Sequence, residues 1–166
     1  REKKKKERCH DRVYACILAT GVNHDGCTSK PITNPSEQMQ RTLFENTCHA
    51  AGLRPEDVWY VEDHVTGTQV GDRANVASTA KVFGGKQRPL RVGVLKPNIC
   101  HTEAASGVMA LIKCCLMLYR REWLPSVLVG KLHFEDMFRQ YNIRLQVSHC
   151  QAQQEDRGVE RERKKK

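Results

Sequence analysis

No Cys-x-x-Cys pair occurs in this sequence, although it holds eight cysteines. That absence argues against the structural zinc frameworks, whose thiolates come in closely spaced pairs, and no metal site is expected. Cys9-His10, Cys48-His49, Cys100-His101 and His149-Cys150 are adjacent pairs instead, and free thiols in a reducing compartment are the simpler reading. Long apolar runs are missing too. No segment is long and apolar enough to cross a bilayer, and no signal-type stretch follows the charged N-terminus. A cytoplasmic protein with no membrane partner is therefore expected. Aromatic residues make up only 6% of the chain, which leaves few rings for stacking on bases despite a formal charge of +9. Much of the basic excess sits in the runs Arg1 to Arg8 and Arg157 to Lys166. Such runs are solvated tails, so no nucleic-acid partner is expected.

A length of 166 residues suits one domain with one core. The short apolar run Val13 to Ala19 reads as a buried strand. Asn34-Pro35-Ser36-Glu37 reads as a helix start, with Asn34 as cap and Pro35 at the first helical position. Met39, Leu43, Phe44, Thr47 and Ala51 continue that helix on one face, and Gly52 stops it. Val58 to Val61 predicts a strand, Asp72 to about Phe83 a helix capped by Asp72, and Leu90 to Leu95 another strand. A third helix opens at Thr102 and runs apolar nearly all round to Leu118, which predicts a buried helix. Val127 to Val129 and Ile143 to Val147 are further candidate strands. Residues 1–8 and 148–166 read as charged, disordered tails, leaving 9–147 for the fold. Strands alternating with helices predict a layered α/β fold with an at least partly parallel sheet.

Two polar segments directly follow apolar strand-like runs: Val61-Glu62-Asp63-His64-Val65-Thr66-Gly67-Thr68 and Lys96-Pro97-Asn98-Ile99-Cys100-His101-Thr102-Glu103. Ligands in open α/β sheets gather at the carboxyl ends of strands. His64, His101, Lys96, Glu103, Thr66 and Thr68 are therefore the candidate site residues, and they are expected to face one pocket.

The first segment resembles the Glu-Ala-His-Gly-Thr-Gly-Thr motif of β-ketoacyl synthases, the ketosynthase domains of type I polyketide synthases and animal-type fatty acid synthases. The second is similar to their Lys-Ser-Asn-Ile-Gly-His motif. Gly21-Val22-Asn23-His24-Asp25-Gly26 resembles the family's Gly-x-Asn-x-Asp-Gly turn, and Leu53-Arg54-Pro55-Glu56-Asp57 adds to the likeness. The resemblance covers the C-terminal half of such a domain and implies a thiolase-like layered fold, here as a half-domain. It also implies decarboxylative Claisen condensation in polyketide or fatty acid synthesis. His64 and His101 would then stabilise the enolate oxygen, Lys96 would stand beside them held by Glu103, and Thr66 and Thr68 would bind the pantetheine arm. No cofactor is bound directly; the substrate is a phosphopantetheine-linked acyl or malonyl thioester on acyl carrier protein. The implied partners are that carrier protein, the remaining half of the ketosynthase domain and a second copy in a homodimer.

The family's nucleophilic cysteine belongs to its N-terminal half, and Cys27-Thr28-Ser29 imitates it only superficially. A chain inactive by itself is therefore expected, with a noncatalytic binding module derived from such a domain as the alternative. Inside the motifs Asp63 stands where alanine is usual, Val65 and Cys100 where glycine is, and Pro97 where serine is. Arg73 and Asn75 replace the usual proline and glutamate.

Overall fold

Three short strands frame the molecule. The computed structural model describes residues 12–27, 31, 33–85, 88–127, 134–148 and 150–151. Among these the elements run α1 (Glu37–Ala50), β1 (Tyr60–Glu62), α2 (Gln69–Phe83), β2 (Leu90–Gly93), α3 (Lys96–Ile99) and α4 (Ser106–Arg120). They continue with β3 (Glu122–Trp123), α5 (Glu135–Gln140), β4 (Ile143–Leu145) and β5 (Cys150–Gln151). β2 lies at the centre of a parallel sheet of order β1-β2-β4, with Val61 level with Val92 and Arg91 with Arg144. β3 and β5 form a separate antiparallel pair. No helix among the described residues is long and apolar enough to cross a membrane.

The core lies where α1, α2 and α5 meet the sheet. Cys48 of α1, Val76, Ala80 and Phe83 of α2, Leu90 and Val92 of β2, Phe138 of α5 and Ile143 of β4 form its buried cluster. The rings of Phe44 and Phe83 meet at 5.2 Å between α1 and α2. The layered α/β reading therefore holds, with its main sheet parallel throughout.

Several boundaries differ from the sequence expectation for local reasons. Ser36, not Asn34, caps α1, because its hydroxyl accepts from the Met39 amide at 3.3 Å while its own amide is taken by Asp25. α2 begins three residues before Asp72, at Gln69, with Thr68 at the cap position. The Asp72 carboxylate is thereby free to turn back to the preceding loop. Thr102 makes no side-chain cap; a 3-10 turn over Glu103–Ala105 precedes α4. The short helices α3 and α5 were not expected, and β5 falls inside the stretch read as a C-terminal tail, paired with Glu122 and Trp123. The candidate strand at Val127 to Val129 and most of both tails lie outside the described residues.

Two larger corrections concern burial. Val13 to Ala19 forms no strand, and Val13, Ile17 and Leu18 are well exposed. α4 buries only Lys113 and Met117; Val108, Leu111, Ile112, Leu116 and Leu118 face outward. The two elements lie together, with Tyr14 and Tyr119 in ring contact at 5.0 Å. Apolar pattern marks a face that needs a neighbour, and beyond that contact these faces stay exposed among the described residues.

Candidate functional site

Parallel strands put their carboxyl ends on one edge of a sheet, and β1 and β2 deliver the two polar segments there. The last ladder bond of β1 runs from the Asp63 amide to the Gly93 carbonyl at 2.8 Å. Beyond it the chain turns through His64, Val65, Thr66 and Gly67 to reach α2. From β2 the chain passes through α3, where Pro97 is tolerated in the first turn, and reaches Cys100 and His101.

The two imidazoles come together. The rings of His64 and His101 stand edge-on, 5.4 Å between centroids and 84° between planes. The Glu103 amide donates to His101 Nδ1 at 2.9 Å. That nitrogen therefore carries no proton, and in the neutral ring the N–H is at Nε2, available to donate outward. Burial lowers the His64 pKa below the usual value, and Lys96 and His101 lower it further. His64 is thus neutral near pH 7, as an N–H donor to a developing oxyanion should be. Both rings remain exposed to solvent.

Lys96 donates to the backbone carbonyl of His64. Burial lowers its pKa, and the carboxylates of Glu62, Asp63 and Asp72 oppose that shift. The pairing of Lys96 with Glu103 does not form among the described residues. Glu103 is exposed, in left-handed backbone at φ 46°, and serves the site through its amide. The hydroxyls of Thr66 and Thr68 lie 3.3 Å apart. Of the six candidate residues only Thr66, Lys96 and His101, with Cys100, line an open cavity of about 1210 Å³, which Arg73, Phe134 and Tyr141 border on other sides; His64, Thr68 and Glu103 do not line it.

The two substituted glycine positions have different fates. Val65 packs against the core and is absent from the residues of positive φ. Cys100 sits at φ 64° and ψ 176°, a backbone region that is essentially reserved for glycine.

Behind the site lies a buried charged layer that the sequence reading missed. Glu62 at the end of β1 pairs with Lys113 of α4 at 2.7 Å, the two side chains 5% and 6% exposed, and also accepts from the Tyr60 hydroxyl. Asp63 is 5% exposed; it accepts from Thr79 at 3.2 Å, and burial pushes its pKa up to about 6. Lys113 is the one polar residue of α4 facing inward, and that interruption of an apolar helix was the available signal. Asp72 and Asn75 were also missed as site residues. Asp72 looked like a cap, yet the i,i+3 spacing that places both on one face of α2 was there to be read.

Residues 14–129 match the family model described as "Beta-ketoacyl synthase, C-terminal domain". Polyketide synthase GfsA of Streptomyces halstedii is 45% identical over 118 residues, which is 70% of this chain and 2% of that protein. A highly reducing polyketide synthase of Alternaria alternata, AFT9-1, is 45% identical over 121 residues, 72% of this chain and 4% of its own length. Among solved structures, the oxazolomycin ketosynthase domain OzmH KS7 of Streptomyces albus JA3453 superposes with a TM-score of 0.81 at 31% identity, covering 90% of this chain and 26% of that one. The chain thus spans a small fraction of the relatives it matches. On the strength of the match over 14–129 and the superposed fold, it belongs to the β-ketoacyl synthase family, as a C-terminal ketosynthase portion of the polyketide synthase type.

Proposed function

We propose that this chain is the part of a condensing domain that supplies the enolate-stabilising side of the site for decarboxylative Claisen condensation. In that reaction the bond between the malonyl carboxylate and Cα breaks, carbon dioxide leaves, and its electron pair passes into the thioester carbonyl to form an enolate. The enolate carbon attacks the acyl group held as a thioester on a cysteine, and the thiolate leaves as the β-ketoacyl chain forms. His64 and His101 donate N–H bonds to the enolate oxygen, and Lys96 keeps a positive charge beside it. Thr66 and Thr68 hold the pantetheine arm that enters through the cavity, carried on acyl carrier protein. The nucleophilic cysteine comes from the preceding part of the domain, and a second copy completes a homodimer.

The observation that carries this reading is the edge-on pair of imidazoles at the carboxyl edge of a parallel sheet, with His101 Nδ1 occupied by a backbone donor. The exposed apolar faces of α4 and residues 13–22 support the need for a preceding part, because the site is open to water without a cover. Mass spectrometry of the acyl chain tests it. The purified chain alone is expected to yield no β-ketoacyl thioester, and the chain combined with the preceding part of a ketosynthase domain is expected to yield it. Product from the chain alone, abolished by changing one of its own cysteines, would overturn this division of labour. A noncatalytic pantetheine-binding module would instead bind the thioester in the combined sample and form no product.

A further inference from the structure

Four consecutive backbone N–H groups leave β1 with no sheet partner, and each ends on a side chain of α2. Asn75 Oδ1 accepts from the His64 amide at 3.1 Å and the Val65 amide at 3.2 Å. Asp72 Oδ1 accepts from the Thr66 amide at 2.8 Å, and its Oδ2 from the Gly67 amide at 2.9 Å. The series continues the β1 ladder without a gap, since the preceding amide, that of Asp63, is the last to reach β2. Asp72 is 7% exposed, and its own amide is held by the Thr68 carbonyl. The His64 backbone is held on both sides, with its N–H on Asn75 and its carbonyl on Lys96.

We propose that Asp72 and Asn75 are positioning residues of the site: together they fix the backbone from His64 to Gly67, so that the His64 ring meets His101 and Thr66 faces the cavity. This deepens the reading of the site given under the proposed function and rests on it. The physical reason is that a loop leaving a sheet has free amides and many conformations. Four hydrogen bonds to three acceptor oxygens of one helix select a single one. Asn75 acts twice with one oxygen, and a β-branched Val65 is accommodated because its amide is tied and its side chain turned into the core. Neither residue touches the reacting atoms in this scheme; both act through the loop.

The test uses the full chain and nuclear magnetic resonance. Asn75→Ala removes no formal charge of its own, but Asn75 also bonds the Asp63 carboxyl, so the ring contact, read together with the midpoint, reports the position of the His64 ring. Expected are exchange of the His64 and Val65 amides faster by roughly tenfold, loss of the proton contact between the His64 and His101 rings, and a rise of the His64 titration midpoint toward its ordinary value. Asn75→Asp keeps the acceptor and should restore both amide protection and the ring contact. Faster exchange with the ring contact and midpoint unchanged would overturn the proposal, since the bonds would then only cap the loop. Should Asn75→Ala fail to fold, the unaltered chain still decides: amides 64–67 exchanging at the rate of open loop would overturn it. Titrating malonyl-pantetheine thioester into the chain assembled with the preceding part of a ketosynthase domain separates the two readings. No response at Thr66 or Thr68 would count against the proposed function while leaving the positioning role standing.

Discussion

At φ 64° and ψ 176° Cys100 occupies a backbone region where only glycine rests without strain. Such positions cost on the order of 1–3 kcal/mol. Cys100→Gly should therefore raise the stability of the chain by an amount in that range, less the entropy glycine adds to the unfolded state; an unchanged or lower denaturant midpoint would contradict it. Asp63 contributes one part of the pH dependence. Its carboxyl is pushed from 3.8 in the unfolded chain up to about 6 by burial, so the folded protein holds the proton more tightly. The associated stability is fully present below about pH 4 and is lost as the pH rises through 6, a change of up to about 3 kcal/mol. Asp63→Asn, which keeps an acceptor for Thr79, should flatten that part of the stability curve, as chemical denaturation at a series of pH values would show. His64, Lys96 and His101 were legible in the sequence because each follows an apolar strand-like run. The role of Glu103 was not, since the sequence carries a carboxylate while the structure uses the amide of the same residue.

Among the elements, α4 and α2 read differently from their sequences. Periodicity marks α4 as a helix with apolar sides but does not state which neighbours cover them; its inward residues prove to be Lys113 and Met117. Lys113 joins α4 to the end of β1 through Glu62, and both groups are removed from water. Lys113→Met should cost roughly 3 kcal/mol or more by stranding the Glu62 charge, and Lys113→Met combined with Glu62→Gln should recover much of it. Equal losses in the single and double variants, measured by urea denaturation, would contradict a coupled pair. The span of α2 was legible from Val76, Ala77, Ala80 and Phe83. Its start was not, because an aspartate four residues into the helix looks like a cap until the loop that it binds is seen.

For the whole molecule, an at least partly parallel sheet was legible from the alternation of strands and helices, whereas the order β1-β2-β4 was not. The covering of its outer surface was not either. Val13, Ile17 and Leu18 on one segment and Val108, Leu111 and Leu118 on α4 read as core residues, and the structure leaves them outward. Under the proposed function, a preceding part of a ketosynthase domain covers that surface and the open imidazole pair and excludes water from the site. Carbon dioxide release from a malonyl thioester isolates enolate formation from the later acyl transfer. It is therefore the most direct measurement of what His64 and His101 do. In the chain assembled with the preceding part of a ketosynthase domain, carbon dioxide release should fall by roughly 10²-fold or more in His64→Ala and in His101→Ala. An unchanged rate in both variants would contradict the assignment of the imidazole pair to the enolate oxygen.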